Sequence, residues 1–411
     1  MLLFFSKWSF LGTFAFILLL PKFLLSNYGL RPEDLLSFII LLLVPFLVVK
    51  LSRLIHPGLM VSIILYFIYI TVISCLKYPE YIDKIFILIF KELSYFGYFL
   101  VTFFIVIRYP LKDISKIFLI IFIFSLPALF YMFYQFNFGI QGMYGVSFYG
   151  HSKSPASSGL LSLMLCYLSY IYFVFFKNKL VLFYCIIWAV IVLFGGSKLA
   201  AVGLLSFASL SVLSELNKEK MLYGIFFLVL LFSGLLVSIK SGIGALHRLE
   251  TIFSPIQTIL DRGIWFKFQW IDGFHGYIFG GGVAKGHTPF DNYISERASL
   301  DYLRYIDASE IGFSLSMAMD NQFLYFLIVL GLFGSIIFFF ILFFLVLSHP
   351  KKSYQRRIQM VLIFSYLAMG MGAEVFQLSI SGITFWVISG FLAGYSKKTE
   401  APNKYDLSLH V

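Results

Sequence analysis

The sequence is poor in charged residues and in cysteine. Only 12% of its 411 residues are charged, whereas 60% are hydrophobic and Phe alone occupies 51 positions. A soluble domain is charged at about a quarter of its positions, so this composition excludes an ordinary soluble enzyme. It also excludes a disordered chain, which needs the opposite balance. The three cysteines lie inside apolar runs, which argues against a disulfide framework or a paired-cysteine metal site.

Several motifs of soluble catalysis are also missing. The sequence has no Walker A loop and no glycine-rich dinucleotide fingerprint, so it gives no sign of ATP-driven transport or of a redox cofactor. It has no His-Glu-x-x-His motif and no Asp-x-Asp pair, so neither a zinc site nor a metal-bound nucleotide sugar is predicted. We therefore expect no cofactor and no metal. The run Gly280-Gly281-Gly282 is interpreted as a flexible turn.

Apolar runs of helical length dominate the chain. About twelve of them are near the length that a bilayer core requires, which predicts an all-α, polytopic integral membrane protein. A β-barrel would instead show short alternating segments. The first run is taken as a true span because no small-residue cleavage site follows it. The predicted spans are 3–21, 35–51, 59–76, 85–107, 117–136, 156–176, 180–195, 199–214, 221–239, 321–347, 358–373 and 380–395. An alternative for the seventh and eighth spans is one broken pair around Gly195-Gly196-Ser197-Lys198.

Lys and Arg are concentrated in alternate short loops. By the positive-inside rule, these loops and both termini face the cytoplasm. The net charge of +11 is mostly this signal, and no basic soluble domain is present to bind nucleic acid. The basic loop residues are Lys50, Arg53, Arg108, Lys112, Lys116, Lys177, Lys179, Lys218, Lys220, Lys351, Lys352, Arg356, Arg357, Lys397, Lys398 and Lys404.

One hydrophilic stretch, residues 240–318, is much longer than the other loops and falls on the outer side. A loop of this length is usually functional or disordered. Its many aromatic residues favour a small folded subdomain that lies on the membrane. The predicted organisation is helices 1–9 over residues 1–239, this large loop subdomain at 240–318, helices 10–12 over 319–395 and a cytoplasmic tail at 396–411.

Charged residues at the outer ends of the spans are the candidates for chemistry, because such groups cost free energy unless they are paired or hydrated. Arg binds phosphate oxygens in a bidentate manner and Lys adds a point charge, so a lipid-linked pyrophosphate suits them as substrate. A carboxylate beside them is available as general base or orienting group for a hydroxyl nucleophile. The candidates are Lys198, Arg248 and Arg262 for the pyrophosphate, Asp320 and Arg262 for catalysis, and Glu374 and His287 as second choices.

Each candidate also has a purely structural interpretation. Lys198 can snorkel to the lipid headgroups, and Asp320 can act only as a helix N-cap. The two arginines can form ion pairs on a solvated surface. Lys91 and Glu92, inside the fourth span, are interpreted as a buried pair rather than as a site.

The order of these features resembles the superfamily of O-antigen polymerases and O-antigen ligases, over roughly residues 140–345. The run from Asp320 to Gly334 is similar to the family's polar pair, aromatic or Leu pair and Gly-x-x-Gly, which open the span after a large periplasmic loop. Further similar pieces are Arg262-Gly263-Ile264-Trp265 with the following Ile278-Phe279-Gly280-Gly281-Gly282, Gly196-Ser197-Lys198 with Lys in place of the family's Arg, and Ser154-Pro155-Ala156.

The resemblance implies a metal-independent, inverting glycosyltransferase of the bacterial inner membrane, with its site facing the periplasm. A polymerase of this kind transfers a glycan from undecaprenyl pyrophosphate onto the next lipid-linked repeat unit, whereas a ligase transfers it to the lipid A core. Ligases usually carry His where this chain has Asp320, which favours the polymerase. Membrane lipids and a chain-length regulator protein are the other implied partners. The alternatives are the ligase, a lipid-linked oligosaccharide flippase and a noncatalytic scaffold.

Overall fold

The structure is a computed structural model, and helices account for nearly all of the residues that it describes. The described residues are 2–19, 32–79, 82–137, 141–142, 145–146, 155–194, 197–215, 221–222, 224–226, 228–229, 232–233, 278–283, 322–370, 376 and 379–400. The helices are α1 (Leu2–Leu19), α2 (Pro32–Leu51), α3 (Pro57–Lys77), α4 (Ile82–Arg108), α5 (Leu111–Asn137), α6 (Pro155–Phe176), α7 (Lys179–Phe194), α8 (Lys198–Leu213), α9 (Gln322–Tyr325), α10 (Gly331–Leu347), α11 (Tyr354–Met369) and α12 (Ser379–Glu400).

Two shorter elements complete the description. A π-helical turn, Phe326–Leu330, joins α9 to α10. Two antiparallel strands of two residues each, β1 (Gln141–Gly142) and β2 (Gly145–Val146), lie between α5 and α6. Isolated helical positions between residues 221 and 233 fall in the ninth predicted span.

The described helices are those of a multi-pass membrane protein. Four of them are long and apolar enough to cross a bilayer, over Pro57–Lys77, Ile85–Arg108, Leu111–Gln135 and Ser158–Phe176. Shorter apolar helical stretches, of 10–17 residues, are Leu2–Ala15, Leu36–Leu51, Lys179–Leu193, Lys198–Leu213 and Gly331–Leu347. Large apolar side chains such as Leu42 and Phe46 stand outward, 71% and 64% exposed, as a lipid-facing surface requires. The all-helical membrane class is therefore confirmed, while the count of twelve spans and the external position of the large loop stay predictions.

Local sequence signals account for several helix ends. The Ser197 hydroxyl accepts a hydrogen bond from the Ala200 amide at 3.3 Å, and the Ser353 hydroxyl accepts one from the Arg356 amide at 3.1 Å. Such N-caps satisfy backbone amides that have no partner inside the helix. The Ser197 cap starts α8 directly after α7 ends at Phe194, so the seventh and eighth predicted spans form two separate helices.

Small residues and buried hydroxyls bring the helices into contact. A methyl group at Gly390 of α12 would lie 2.5 Å from the Phe99 carbonyl oxygen of α4, so these helices pack backbone to backbone. Tyr167 of α6 donates to the Gly203 carbonyl of α8 at 2.8 Å and lies 2.6 Å from the Ser365 hydroxyl of α11. Close approach and interhelical hydrogen bonds are what hold helices together where lipid removes the hydrophobic driving force.

One side of the bundle, which we call the basic end, carries both described chain ends. The Lys7 ammonium of α1 lies 5.7 Å from the Tyr109 ring centre, just past the end of α4. The Lys398 ammonium of α12 donates to the Tyr109 carbonyl. His349, in the turn between α10 and α11, pairs with Ser396 of α12 at 2.8 Å. The start of α1 and the end of α12 therefore lie on the same side of the bundle, as the positive-inside pattern predicts.

Candidate functional site

The structure describes only one of the six predicted site residues. Lys198 is described and is the first residue of α8. The other five lie outside the described residues: Arg248, Arg262, His287, Asp320 and Glu374. The geometry of the candidate site therefore comes from Lys198 and from the described residues that neighbour Asp320 and Glu374 in the sequence.

Lys198 occupies a helix N-terminus that is built into the bundle. Its N-cap, Ser197, is buried, and a methyl group at Gly159 of α6 would lie 2.5 Å from the Ser197 hydroxyl oxygen. Lys198 itself is partly buried. The amide groups of a helix N-terminus carry partial positive charge, to which the ammonium adds a full one. This position therefore suits an anion.

Helices α8 and α11 run antiparallel, and their contacts show at which end of the bundle Lys198 lies. Arg357, near the start of α11, donates to the Ser214 carbonyl at the end of α8 at 3.0 Å. Gly203 of α8 meets Met369, the last residue of α11. Lys198 therefore lies at the end of the bundle where α11 stops, opposite the basic end.

Gln322 is fully buried at that same end and joins three chain segments. Its backbone amide donates to the Gly370 carbonyl at 2.7 Å, and its side-chain oxygen accepts from the Phe376 amide at 3.2 Å. Gln322 follows Asp320 by two residues, while Gly370 and Phe376 stand on either side of Glu374 in the sequence. The described residues nearest in sequence to the two acidic candidates therefore contact each other. We call the end of the bundle that contains Lys198, Gln322, Gly370 and Phe376 the site end.

The segment that follows Gln322 is not one continuous helix, contrary to the predicted span 321–347. The Ser335 hydroxyl donates to the Phe326 carbonyl at 3.0 Å, although a straight helix would separate these residues by about 13 Å. The Phe326 ring packs 5.2 Å from that of Phe338. The chain reverses at Gly331, whose φ of 64° is one that L side chains rarely adopt. Helix α9 and the π-helical turn therefore fold back against α10.

A turn from the large loop docks on this reversal. The Gly282 amide donates to the Val329 carbonyl at 2.9 Å, and the Phe333 amide donates to the Ile278 carbonyl at 3.2 Å. The Tyr69 hydroxyl of α3 lies 2.9 Å from the Leu330 carbonyl oxygen. Backbone groups freed by a break in a membrane helix must find partners within the protein. Residues 278–283 supply them, so the glycine run is a docked element and the prediction of a flexible turn is wrong.

Glu92 has partners that the sequence did not reveal. Its two carboxylate oxygens accept from the Tyr66 hydroxyl of α3, at 2.8 Å, and from the Tyr325 hydroxyl of α9. The sequence did show a charged residue inside an apolar span, which is a signal of a functional or paired group. The interpretation as a pair with its neighbour Lys91 missed that its hydrogen bonds run to two other helices, because contacts between distant segments leave no local pattern. Among the described residues, no group of three or more metal-ligating side chains is found.

Comparison with known proteins adds no family to these observations. No protein-family model matches the sequence, and a search of curated proteins finds no match. The chemistry of the site therefore rests on its own residues and on the resemblance that their order carries.

Proposed function

We propose that this protein is an integral-membrane glycosyltransferase that joins lipid pyrophosphate-linked glycans, in the manner of an O-antigen polymerase. The main support is the convergence at the site end. Lys198 lies at this end of the bundle, and Gln322 binds Phe376 there. Lys198 is one of the cationic candidates, and Gln322 and Phe376 are the described sequence neighbours of the acidic candidates Asp320 and Glu374. A cationic helix N-terminus, at the same end of the bundle as two residues that each stand two positions from a carboxylate in the sequence, suits an anionic leaving group and a hydroxyl nucleophile.

In this proposal the cations hold the pyrophosphate of the donor. Lys198 and the N-terminal amides of α8 receive its oxygens, and Arg248 and Arg262 add bidentate contacts. These groups are worth most when the bond to the sugar breaks, because negative charge then accumulates on the departing pyrophosphate. Positive groups in place before the reaction stabilise that charge without reorganisation.

Asp320 is the proposed base. The acceptor hydroxyl attacks the anomeric carbon of the donor, the bond from that carbon to the pyrophosphate oxygen breaks, and the hydroxyl proton passes to Asp320. The products are the lengthened glycan on the acceptor's carrier and free undecaprenyl pyrophosphate. Attack opposite to the leaving group inverts the anomeric centre. Glu374 and His287 are the next candidates for the base.

Purified protein supplied with a lipid-linked repeat unit tests the proposal directly. We expect a ladder of longer glycans, formed in excess EDTA as well as in magnesium. Transfer to added lipid A core would indicate a ligase, and translocation without transfer would indicate a flippase. The absence of both activities would indicate a noncatalytic scaffold. Each of these outcomes contradicts the proposal.

The chain offers a matched control for the cationic site. Lys179 and Lys198 are the first residues of α7 and α8, two apolar helices of 16 residues each that run in opposite directions. Lys198→Gln should lower glycan transfer roughly tenfold or more, the scale of a lost charged hydrogen bond in a site. Lys179→Gln, at the basic end, should leave transfer unchanged. Equal activity of the two variants would remove Lys198 from the site.

A further inference from the structure

Glu92 lies in α4 and joins it to two other helices, α3 and α9. One of its carboxylate oxygens accepts a hydrogen bond from Tyr66 of α3, and the other accepts one from Tyr325 of α9. Both tyrosines are buried. A carboxylate within an apolar span is costly, and apolar side chains of similar volume hold helices together at lower cost. The carboxylate therefore points to a role that apolar packing does not fulfil.

Helix α9 needs external anchors because it is only four residues long. A helix this short is far below the length at which helices are stable alone. Contacts from several segments hold it and the turn after it. Among them, Gln322 binds Gly370 and Phe376, Tyr325 binds Glu92, and the carbonyls of Phe326, Val329 and Leu330 accept from Ser335, Gly282 and Tyr69. The Glu92 contact comes from α4.

A small cavity lies beside Glu92 and Tyr66. Its volume is about 30 Å³, enough for a water molecule. Apart from Glu92 it is lined mainly by aromatic side chains, among them Tyr66, Phe96, Phe376 and Trp386. Phe376 is also bonded to Gln322, so the cavity wall and the site end share a residue. Because Gln322 and Tyr325 belong to the same four-residue helix, movement at Tyr325 would also move Gln322 at the site end.

We propose that Glu92 is a positioning residue for the proposed transfer reaction, holding α9 in place through Tyr325. We call the two hydrogen bonds that join Glu92 to Tyr66 and Tyr325 the latch. The expected effect of the latch on the reaction rate rests on the proposed function, whereas the latch itself is a structural claim. The segment so held begins two residues after Asp320. A catalytic group that is misplaced by about 1 Å can lose a hundredfold in rate, so a contact at this distance can control turnover.

Four substitutions test the latch. Tyr325→Phe keeps the ring and removes only the hydroxyl, and should lower kcat roughly tenfold to a hundredfold with a much smaller change in KM. Glu92→Leu should behave in the same way. Glu92→Gln should keep most of the activity, because its amide oxygen accepts from one tyrosine and its amide nitrogen donates to the other. Tyr172→Phe is the control: it loses the 2.7 Å hydrogen bond to Ser115 between α5 and α6, away from α9.

Amide hydrogen exchange of residues 322–330 supplies a readout that does not depend on activity. We expect faster exchange in Tyr325→Phe and Glu92→Leu, and exchange at the wild-type rate in Glu92→Gln and Tyr172→Phe. Wild-type exchange and turnover in Tyr325→Phe would overturn the latch. The latch would also be overturned if Glu92→Gln were as inactive as Glu92→Leu while its amide exchange stayed at the wild-type rate. That pattern would mean that Glu92 carries a proton. If the wild-type protein transfers no glycan, the proposed function fails, and the exchange rates alone decide the latch.

Discussion

Asp320 is the residue whose substitution separates catalysis from helix capping. Asn caps a helix nearly as well as Asp, but its amide takes up no proton at neutral pH. Asp320→Asn should therefore keep the protein at its normal level in the membrane and lower polymerisation by roughly two orders of magnitude, the usual scale for a positioned acid–base group. Asp320→Ala should be similarly inactive and about 1 kcal/mol less stable.

Gel analysis of glycan length, with the protein level measured in the same membranes, checks this prediction. Full-length polymer from Asp320→Asn together with an unstable Asp320→Ala would show that the residue is a cap. The role of base would then pass to Glu374 or His287.

His349 predicts an acid-sensitive stability at the basic end. Its pKa is lowered to about 4, chiefly by burial; the hydrogen bond of the neighbouring Gln359 opposes this shift, and the positive charges of Arg356 and Lys397 add to it. An unfolded His, with a pKa near 6.5, takes up its proton first as the pH falls. The unfolded state therefore binds more protons between pH 6.5 and 4, and the free energy of unfolding falls as the pH falls through that window.

The measurement is the thermal unfolding midpoint in detergent at pH 7 and at pH 5. At pH 5 the protonation of this histidine in the unfolded state lowers the free energy of unfolding of the wild-type protein by about 2 kcal/mol. His349→Gln cannot titrate, so its midpoint should fall less between these two pH values. An equal drop in both proteins would mean that other groups cause the acid sensitivity.

At the scale of elements, the reversal between α9 and α10 depends on glycine. Gly331 has a positive φ, and a methyl group there would lie 2.6 Å from the Phe279 carbonyl carbon of the docked turn. Gly331→Ala therefore combines backbone strain of about 1–3 kcal/mol with a clash against backbone atoms. We expect the turn at 278–283 to lose its docked position.

Labelling of a cysteine placed at Ile278 measures the release of the turn. Labelling should be faster in Gly331→Ala than in the parent protein. Gly12→Ala is the control, because a methyl group there meets only the end of the Leu36 side chain, at 3.3 Å. Equal labelling in all three proteins would show that the turn is not held by the close approach at Gly331.

For the whole molecule, the two ends of the bundle carry different chemistry. The basic end holds the start of α1, the end of α12 and the turn with His349, while the site end holds Lys198 and Gln322. The positive-inside rule assigns the basic end to the cytoplasm. We therefore predict that a reporter fused at Ser353 gives a cytoplasmic signal and that one fused at His287 gives a periplasmic signal. Cytoplasmic signal at both positions would reverse this assignment.

The sequence alone determined the class of the protein and the local ends of many helices. Apolar runs of bilayer length predicted membrane helices at α3, α4, α5 and α6, because hydropathy and length are properties of a segment by itself. The small polar turn at Ser197 marked the start of α8 for the same reason, since an N-cap acts over three residues.

Only the tertiary structure decided how the tenth predicted span breaks and what Glu92 binds. The run after Gln322 is apolar throughout, so hydropathy gave no reason to divide it. The break is possible because Tyr69 and the turn at 278–283 satisfy the backbone groups that it frees, and these partners come from distant parts of the chain. The partners of Glu92 likewise come from α3 and α9. Both features depend on which segments meet inside the bundle, and no pattern within one segment records that.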